Sequence, residues 1–410
     1  MVNVGQLITL AGPVRPRVGP EMRELGLVHG GALLIENGSI QAAGLYSELR
    51  DRIDAETEVI DAAGCVVAPG FVDAHTHLVF AGNRAAEFEK RIGGATYQEI
   101  AAAGGGIQST VAQTRAASEE ELLGQARKHR DWMLRGGTTT LEAKSGYGLD
   151  HATELRMLRV LARLAADGPA RIVATLLAAH TVPKEMADRR EEYLRGVIEE
   201  LIPEVAAQRL ARYCDAFCDD HAFTVPETRR VLEAAKRHGM GLRIHAEQFR
   251  PGTGAALGAE LGAATVDHLE TVTEEALHLL RDAGVQPVLL PASVFCLHRD
   301  QYPPARRMID MGLPVVLATD FNPGSSPSPS MPFTMSLACL QMRMLPSEAL
   351  IAATINAACS LGLGAEIGSL ETGKAADFLI HECRDYRELA YYVAAPARPR
   401  VFIAGHEVTL

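Results

Sequence analysis

Two histidines, His75 and His77, follow an apolar run that begins at Val66. Residues i and i+2 of a β-strand point to the same face, and their Cα atoms lie about 6.6 Å apart because each residue rises about 3.3 Å. Two imidazoles at this spacing can bind one metal ion. The pattern therefore suggests metal-assisted hydrolysis, and a pair of ordinary surface-loop histidines is the alternative.

Other polar residues also stand at the ends of apolar runs in the middle of the chain. They are Glu142 and Lys144, His180, Asp219, Asp220 and His221, His245 and Glu247, Asp267 and His268, and Asp320. In a barrel of parallel strands, the carboxyl ends of the strands form the active-site face. Ionisable groups are costly to bury without partners, so their recurrence at strand ends indicates one shared site.

Four of these residues form a plausible set of metal ligands: His75, His77, His245 and Asp320. Three neutral imidazoles and one carboxylate suit Zn²⁺ or iron (Fe²⁺/Fe³⁺) and leave one position for water. A metal ion of this kind lowers the pKa of a bound water to about 7, which makes hydroxide available at neutral pH.

Catalytic roles are predicted for the ligand Asp320 and for two residues near the ligands, Glu247 and His268. Glu247 follows His245 at the i, i+2 spacing, so we expect it to point into the same cavity and to act as general acid/base for the water and the leaving nitrogen. His268, with Asp320, is predicted to hold the attacking water, or to polarise a carbonyl. The alternative for His268 is a buried histidine below the site.

The elements that must position these residues alternate along the chain. Strand candidates lie at 65–77, 138–144, 171–180, 212–219, 241–247, 264–270, 286–295 and 314–320, with helical patterns between them. This order predicts an α/β fold, a TIM-like (β/α)₈ barrel, and a doubly wound open sheet is the competing fold. Capping boxes that predict helix starts join Ser118 to Glu121, Thr224 to Glu227 and Thr271 to Glu274.

Strand-like fragments occur at both ends of the chain. They lie at 7–10, 32–36, 39–43 and 58–61, and again at 377–380, 400–403 and 407–410, and Asn37-Gly38 predicts a hairpin turn. We therefore expect a small β-sandwich domain built from residues 1–66 plus 367–410. The catalytic barrel would then span residues 67–366.

Composition limits the classes of partner. The 410 residues are 47% hydrophobic and carry a formal net charge of −11, which argues against nucleic-acid or anionic-membrane binding. No signal peptide or membrane-spanning stretch is evident, and seven unpatterned cysteines suggest reduced thiols. The expected protein is a cytoplasmic enzyme with a small-molecule substrate.

Several segments together resemble the amidohydrolase superfamily over nearly the whole chain. Residues 70–77 (Gly-Phe-Val-Asp-Ala-His-Thr-His) resemble its first-strand motif, and residues 368–377 resemble its return to the β domain. Residues 78–84, 93–97, 144–149 and 320–325 are more specific. They resemble the members that hydrolyse 4-imidazolone-5-propanoate to N-formimidoyl-L-glutamate in histidine degradation.

The resemblance implies a set of residues that bind the substrate. Arg84 would grip the propionate in a bidentate manner and Tyr147 would donate its hydroxyl to the carboxylate or the ring. His180 would hydrogen-bond the ring carbonyl and stabilise the oxyanion. The remaining members of the set are Gln248, Asn322, Gly324 and Ser325.

The resemblance also bears on metal number and assembly. In binuclear amidohydrolases the bridging carboxylated lysine belongs to the fourth strand, whereas Lys144 falls on the second predicted strand, so we expect one ion per chain. A homodimer is expected from the resemblance alone. Two alternatives stay open: an aminohydrolase of a purine or pyrimidine with one metal ion, and a metal-free assembly protein with this fold.

Overall fold

The structure is a computed structural model of the 410-residue chain, and it describes residues 1–95, 99, 105–219, 222–395 and 398–409. The strands form two sheets. In chain order they are β1 (Val4–Ile8), β2 (Leu27–Glu36), β3 (Ser39–Leu45), β4 (Val66–Pro69), β5 (Phe71–Asp73), β6 (Thr138–Lys144), β7 (Arg171–Ala179), β8 (Tyr213–Cys218), β9 (Gly241–Ala246), β10 (Thr265–His268), β11 (Gln286–Leu289), β12 (Val316–Leu317), β13 (Phe378–His381), β14 (Arg400–Ile403) and β15 (His406–Glu407).

The predicted barrel is confirmed. Strands β5 to β12 pair in chain order, all parallel, in an eight-stranded sheet that curls into a nearly closed barrel. Just beyond β5 and β12 the two ends of the sheet meet: His77 N–H donates to Phe321 O at 2.9 Å, and Asp320 N–H donates to His75 O at 3.0 Å. This closure places His75, His77 and Asp320 side by side.

The small β domain from both termini is also confirmed. Its seven-stranded curled sheet has the order β15-β14-β13-β4-β1-β2-β3, and β1 pairs in parallel with β4 while the other neighbours are antiparallel. Asn37 and Gly38 form the predicted turn, with φ values of 51° and 78°. The fragment 58–61 is not a strand, because Asp61 makes only an isolated bridge with Val2. The domain boundaries at residues 66 and 367 stay a prediction.

The single strand predicted over 65–77 is two strands in different sheets. Strand β4 ends at Pro69 and β5 begins at Phe71, with Gly70 between them. A Cβ on Gly70 would lie 2.2 Å from Thr139 Oγ1, so only glycine lets the chain pass β6 this closely. The strand predicted over 286–295 also ends early, because Pro291 begins a helix.

Helices connect the barrel strands and pack outside them. The α-helices are Tyr46–Leu49, Ala85–Ile92, Ile107–Ala116, Glu119–Arg135, His151–Ala166, Arg190–Gly196, Ile202–Ala207, Val225–Arg237, Gly254–Leu261, Glu274–Ala283, Pro291–Cys296, Ala305–Asp310, Met331–Met342, Pro346–Ala352, Ile355–Ser360 and Glu388–Tyr391. Short 3₁₀ segments lie at Gly19–Arg23, Arg50–Arg52 and Lys184–Arg189, and a π-helical turn at Val197–Leu201. Within the described residues, no helix is long and apolar enough to cross a membrane.

Two of the three predicted capping boxes are confirmed, at Ser118 and at Thr224. The third prediction is wrong by two residues. Thr273 is the residue whose hydroxyl caps the helix, accepting the Ala276 N–H at 3.3 Å. The Thr271 hydroxyl instead donates to Glu247 O at 2.8 Å, so it holds the backbone immediately after β9.

One buried histidine far from the barrel mouth predicts a pH dependence of stability. His381 in β13 is 4% exposed, and burial lowers its pKa to about 4. In the unfolded chain the pKa of this ring returns to about 6.5, so the unfolded state binds a proton more readily than the folded state. The free energy of unfolding is therefore highest above pH 6.5, and the contribution of His381 is lost as the pH falls towards 4. We expect the free energy of unfolding of His381→Gln to fall less between pH 7 and 4 than that of the unchanged protein, by up to about 3 kcal/mol. Urea unfolding at a series of pH values measures this difference, and parallel pH profiles would contradict it.

Candidate metal centre and active site

Three imidazoles converge at the carboxyl end of the barrel. One nitrogen of each of His75, His77 and His245 lies within 4.8 Å of the others. The ring centroids of His75 and His245 are 4.5 Å apart, and those of His75 and His77 are 5.4 Å apart. Burial lowers the pKa of His75 and of His77 well below the usual range, so both rings are neutral and able to bind a metal ion.

Two aspartates orient this triad. Asp267 Oδ2 lies 2.6 Å from His75 Nδ1, and Asp215 Oδ1 lies 3.0 Å from His245 Nδ1. Because a carboxylate only accepts, Nδ1 carries the proton in both rings and each Nε2 presents a lone pair. In the described structure the Nε2 atoms of His75 and His245 are buried without a hydrogen bond. A metal ion would satisfy these nitrogens, so the donor set fits one.

Asp320 supplies the predicted carboxylate. Its Oδ1 lies 3.5 Å from His75 Nε2 and 3.5 Å from His77 Nε2. The residue has φ 53°, a left-handed conformation that costs free energy for a non-glycine residue and recurs at functional sites. Burial raises the pKa of Asp320, and His268 and His245 oppose that rise. The carboxylate thus faces the same point as the triad.

A cavity of about 320 Å³ opens onto the triad. Eleven of the predicted site residues line it: His77, Arg84, Tyr147, His180, His245, Gln248, His268, Asp320, Asn322, Gly324 and Ser325. His75 is fully buried beneath the cavity. The aromatic rings of Phe217 and Phe249 also line the cavity, and neither residue was predicted from the sequence. The structure therefore brings together all but one of the predicted residues.

Glu247 is the exception, because it is not among the residues that line the cavity, and its catalytic role stays a prediction. Both of its carboxylate oxygens accept the Ala255 N–H at 3.2 Å, at the start of the helix Gly254–Leu261. Glu247 has φ 52°, so the strand alternation that began at His245 breaks here. Because the chain turns at Glu247, the next side chain, Gln248, reaches the cavity instead.

Tyr147 and His180 form one wall of the cavity. Their ring centroids are 5.5 Å apart, and the His180 ring stacks on His77 at 5.2 Å. His180 Nδ1 lies 3.0 Å from Gly146 O. Because a carbonyl oxygen only accepts, this Nδ1 carries a proton, and burial lowers the pKa of His180 to about 3. Nε2 of the neutral ring is therefore an acceptor, which does not suit the predicted bond to a ring carbonyl.

A buried carboxylate holds the loop that carries Tyr147. Glu154 Oε1 accepts the N–H groups of Gly148 at 2.8 Å and Leu149 at 2.9 Å, and Oε2 accepts the Gly146 N–H at 3.0 Å. Gly146 has φ 103°, and a Cβ there would lie 3.0 Å from His180 Nδ1. No sequence signal marks Glu154, which lies in the first turn of the helix His151–Ala166.

We expect Glu154→Gln to raise KM about tenfold with a smaller change in kcat. The amide group would present N–H donors to backbone N–H groups and would leave one of them unpaired, which costs about 1–3 kcal/mol and loosens Tyr147. Steady-state kinetics measure the split. Glu348→Gln is the control, because Glu348 is a buried carboxylate paired with Arg306 outside the cavity. Equal KM values in both variants would contradict a role of Glu154 in the loop.

The segment after Asp320 folds around Arg84. Asn322 Oδ1 accepts the N–H groups of Gly324 at 2.7 Å and Ser325 at 2.8 Å, so its side chain organises the turn. A Cβ on Gly324 would lie 2.4 Å from Arg84 Nη1, so glycine is needed for Arg84 to lie where it does. Arg84 Nε donates to Thr110 Oγ1 at 2.9 Å. These contacts position its guanidinium in the cavity wall.

His268 lies in the cavity wall, and its ring contacts the carboxylate of a buried glutamate, Glu270. Its Nδ1 is 3.2 Å from Glu270 Oε1, and both side chains are buried. Burial opposes protonation of His268, but the Glu270 carboxylate outweighs it and raises the pKa of the ring. Glu270 and Asp215 were both missed in the sequence. Asp215 offered a signal, because it is an acidic residue inside the apolar run 213–218.

Asp219 lies beside the site, where its Oδ2 accepts the Phe249 N–H at 3.3 Å. The predicted strand-end residues Asp220 and His221 lie outside the described residues, as does part of the resemblance motif 93–97.

The fold and the site define a class of protein, and comparison with known proteins identifies it. The model of the amidohydrolase family matches residues 66–408, so the chain belongs to the amidohydrolase family. Solved structures agree on the fold: E. coli guanine deaminase has a TM-score of 0.72 at 18% identity, covering 99% of this chain and 97% of that one. A 5-methylcytosine deaminase from Klebsiella pneumoniae also has a TM-score of 0.72, with 92% and 93% coverage at 18% identity.

Relatives with high sequence identity identify a narrower family within the amidohydrolases. The imidazolonepropionase of Solibacter usitatus is 55% identical over 405 residues, covering 99% of this chain and 97% of that protein. The imidazolonepropionase of Symbiobacterium thermophilum is 48% identical over 408 residues, with 99% and 96% coverage. Within the amidohydrolases, the chain is a member of the imidazolonepropionase family.

Proposed function

We propose that this chain hydrolyses 4-imidazolone-5-propanoate to N-formimidoyl-L-glutamate. The observation that carries the proposal is the presence of Arg84 in the same cavity as the histidine triad. A cyclic amide with a propionate tail needs an activated water at one end and a carboxylate anchor at the other. A neutral nucleobase, the substrate of the alternative aminohydrolase, offers no carboxylate for the arginine to bind.

In this proposal, different cavity residues bind the propionate and the ring of the substrate. The Arg84 guanidinium binds the propionate in a bidentate manner. Burial raises the pKa of Tyr147 above its usual range, so its hydroxyl stays protonated and donates to the same carboxylate. His180 Nε2 accepts the ring N–H rather than contacting the ring carbonyl, and Gln248 contacts the ring through its amide.

The chemistry requires a metal ion in the triad, with Asp320 as the fourth ligand. We propose one Zn²⁺ or iron ion per chain, which when bound lowers the pKa of a water molecule to about 7 and polarises the carbonyl. His268 orients the attacking water through Nε2, while Glu270 holds the proton on Nδ1. Asp320 and His268 take up the proton of the water and return it to the ring nitrogen as the C–N bond breaks.

Turnover and metal content, measured on one purified sample, test this function. The loss of ultraviolet absorbance by imidazolonepropanoate should accompany formation of N-formimidoyl-L-glutamate, identified by mass spectrometry, with about one ion per chain. Bound metal with deamination of guanine or cytosine, and no turnover of imidazolonepropanoate, would move the substrate to the nucleobase alternative. No metal and no turnover after reconstitution with Zn²⁺ or Fe²⁺ would support the assembly-protein alternative.

The contact of Glu247 with the helix start favours a general acid/base other than the predicted one, and two variants test this proposal. We expect Glu247→Gln to lower kcat less than about tenfold, because its carboxylate binds a helix start rather than substrate. Gln248→Ala should raise KM by about tenfold, the loss of one hydrogen bond to substrate at about 1.4 kcal/mol. A kcat loss in Glu247→Gln of several hundredfold would restore the original prediction.

Two further proposals concern the cellular compartment of the enzyme and its oligomeric state. We propose that it acts in the cytoplasm and that it forms a homodimer. Light scattering on the purified protein would measure its mass against the 44.0 kDa of one chain.

A further inference from the structure

One ammonium group lies buried directly behind the metal centre. Lys144 ends β6 with no exposed surface, and its Nζ lies 2.8 Å from Asp215 Oδ2 and 2.9 Å from Glu142 Oε1. Asp267 Oδ2 is 3.7 Å from the same nitrogen. Three carboxylates from β6, β8 and β10 thus share one cation.

Two of these carboxylates are the ones that orient the histidine triad. Asp215 uses its other oxygen, Oδ1, for His245 Nδ1, and Asp267 uses Oδ2 for His75 Nδ1. A single cation therefore joins the outer partners of two predicted metal ligands that lie on different strands. Lys144 does not line the cavity, so it contacts neither substrate nor the reacting atoms.

The charge balance of the cluster depends on this lysine, the ion-pair partner of the carboxylates, and on the buried Arg243 guanidinium, which interacts electrostatically with all three of them. Buried carboxylates are costly unless they are paired, and removing one partner of a buried ion pair leaves the other uncompensated. Without Lys144, the carboxylates of Asp215 and Asp267 would repel Glu142 and each other across the barrel interior. They would rotate away from one another, which removes the acceptors that hold His75 and His245.

We propose that Lys144 is a positioning residue for the metal centre, because it fixes the two aspartates that orient His75 and His245. The proposal rests on the proposed metal site. It also accounts for Lys144 without a second ion: the amine is held as an ammonium by its ion pairs, whereas a carboxylated lysine needs a free, neutral amine. Loss of outer partners of metal ligands costs about 10–100-fold in metal affinity.

Metal affinity of Lys144→Met, measured by competition with a chromogenic chelator for Zn²⁺, tests the proposal. We expect it to be about 10–100-fold weaker than in the unchanged protein. KM at saturating metal should be unchanged, since the cavity wall is intact. The control is Lys374→Met, which removes another buried lysine, bonded to Gly364 O and Ser369 Oγ at 2.6 Å and remote from the triad. The control should keep full affinity, and its thermal stability reports the general cost of losing a buried ammonium.

A second variant covers the case in which Lys144→Met does not fold. Lys144→Met combined with Glu142→Gln removes one cation and one anion, so the net charge of the cluster is kept. We expect this variant to fold and still to bind Zn²⁺ at least tenfold more weakly, because Asp215 Oδ2 has lost the ammonium that fixes the carboxylate. Affinity equal to the unchanged protein in either folded variant would overturn the proposal. Zn²⁺ binding by the unchanged protein without turnover would overturn the proposed substrate while leaving this test intact.

Discussion

His245→Ala should bind no stoichiometric metal and should lose at least about 10³-fold in kcat. The triad offers three nitrogens around one point, and His245 is the one supplied by β9, across the barrel from His75 and His77. Without it, the remaining ligands His75, His77 and Asp320 all lie where the two ends of the sheet meet, and no ligand holds the ion from the β9 side. The loss removes both a water of pKa near 7 and several kcal/mol of charge stabilisation, and each 1.36 kcal/mol is a factor of ten in rate.

Elemental analysis and the ultraviolet assay, run on the same preparation, measure this effect. His381→Gln is the matched control, because His381 is a buried imidazole in the small sheet and should keep both metal and turnover. Adding excess Zn²⁺ or Fe²⁺ should not rescue His245→Ala. Full metal content with normal turnover in that variant would show that the triad is not the metal centre.

Arg84→Met should lower kcat/KM by about 10²–10³-fold. The guanidinium lines the cavity in which we propose that the substrate carboxylate binds, and its side chain is only 13% exposed. Truncating one partner of a buried, hydrogen-bonded charge pair costs about 2–5 kcal/mol, because the other charge is left unpaired. Arg84→Lys should recover only part of the loss, since an ammonium cannot bind a carboxylate with two parallel hydrogen bonds.

A substrate without the carboxylate separates binding of the propionate from damage to the site. The imidazolone with a propanamide side chain should be a poor substrate for the unchanged protein. Arg84→Met should hydrolyse it about as well as the unchanged protein does, because the arginine has no charge to bind. Arg400→Met, which removes a surface partner of Glu407, is the control for loss of a guanidinium. An equal loss by Arg84→Met on both substrates would mean that Arg84 does not bind the propionate.

Much of the fold follows from local patterns in the sequence. Strand β6 begins and ends at the predicted residues, because it opens with three β-branched threonines, Thr138 to Thr140, which favour an extended backbone. The capping boxes at Ser118 and Thr224 are correct for a similar reason, since a cap involves only residues within one turn. Predictions fail where a distant contact decides the backbone. The approach of Thr139 to Gly70 divides one apolar run into strands of two different sheets.

The predicted ligand set follows from residue types and spacing, and Glu247 shows where spacing no longer predicts the direction of a side chain. Alternation on a strand predicts the direction of a side chain only while the backbone stays extended. At Glu247 the backbone turns to φ 52°, and the carboxylate goes to the start of the next helix. The sequence could not predict this turn, because glutamate has no preference for that conformation.

The sequence by itself determined the barrel, the two-ended small domain and the identities of the residues around the cavity. It could do so because apolar periodicity and strand-end polarity are local consequences of burying one face of a strand. Only the tertiary structure decided that Asp215 and Asp267 hold His245 and His75, that Lys144 joins those aspartates, and that Gln248 replaces Glu247 in the cavity. These pairings join residues up to 192 positions apart, and such contacts exist only once the parallel strands have closed into a barrel.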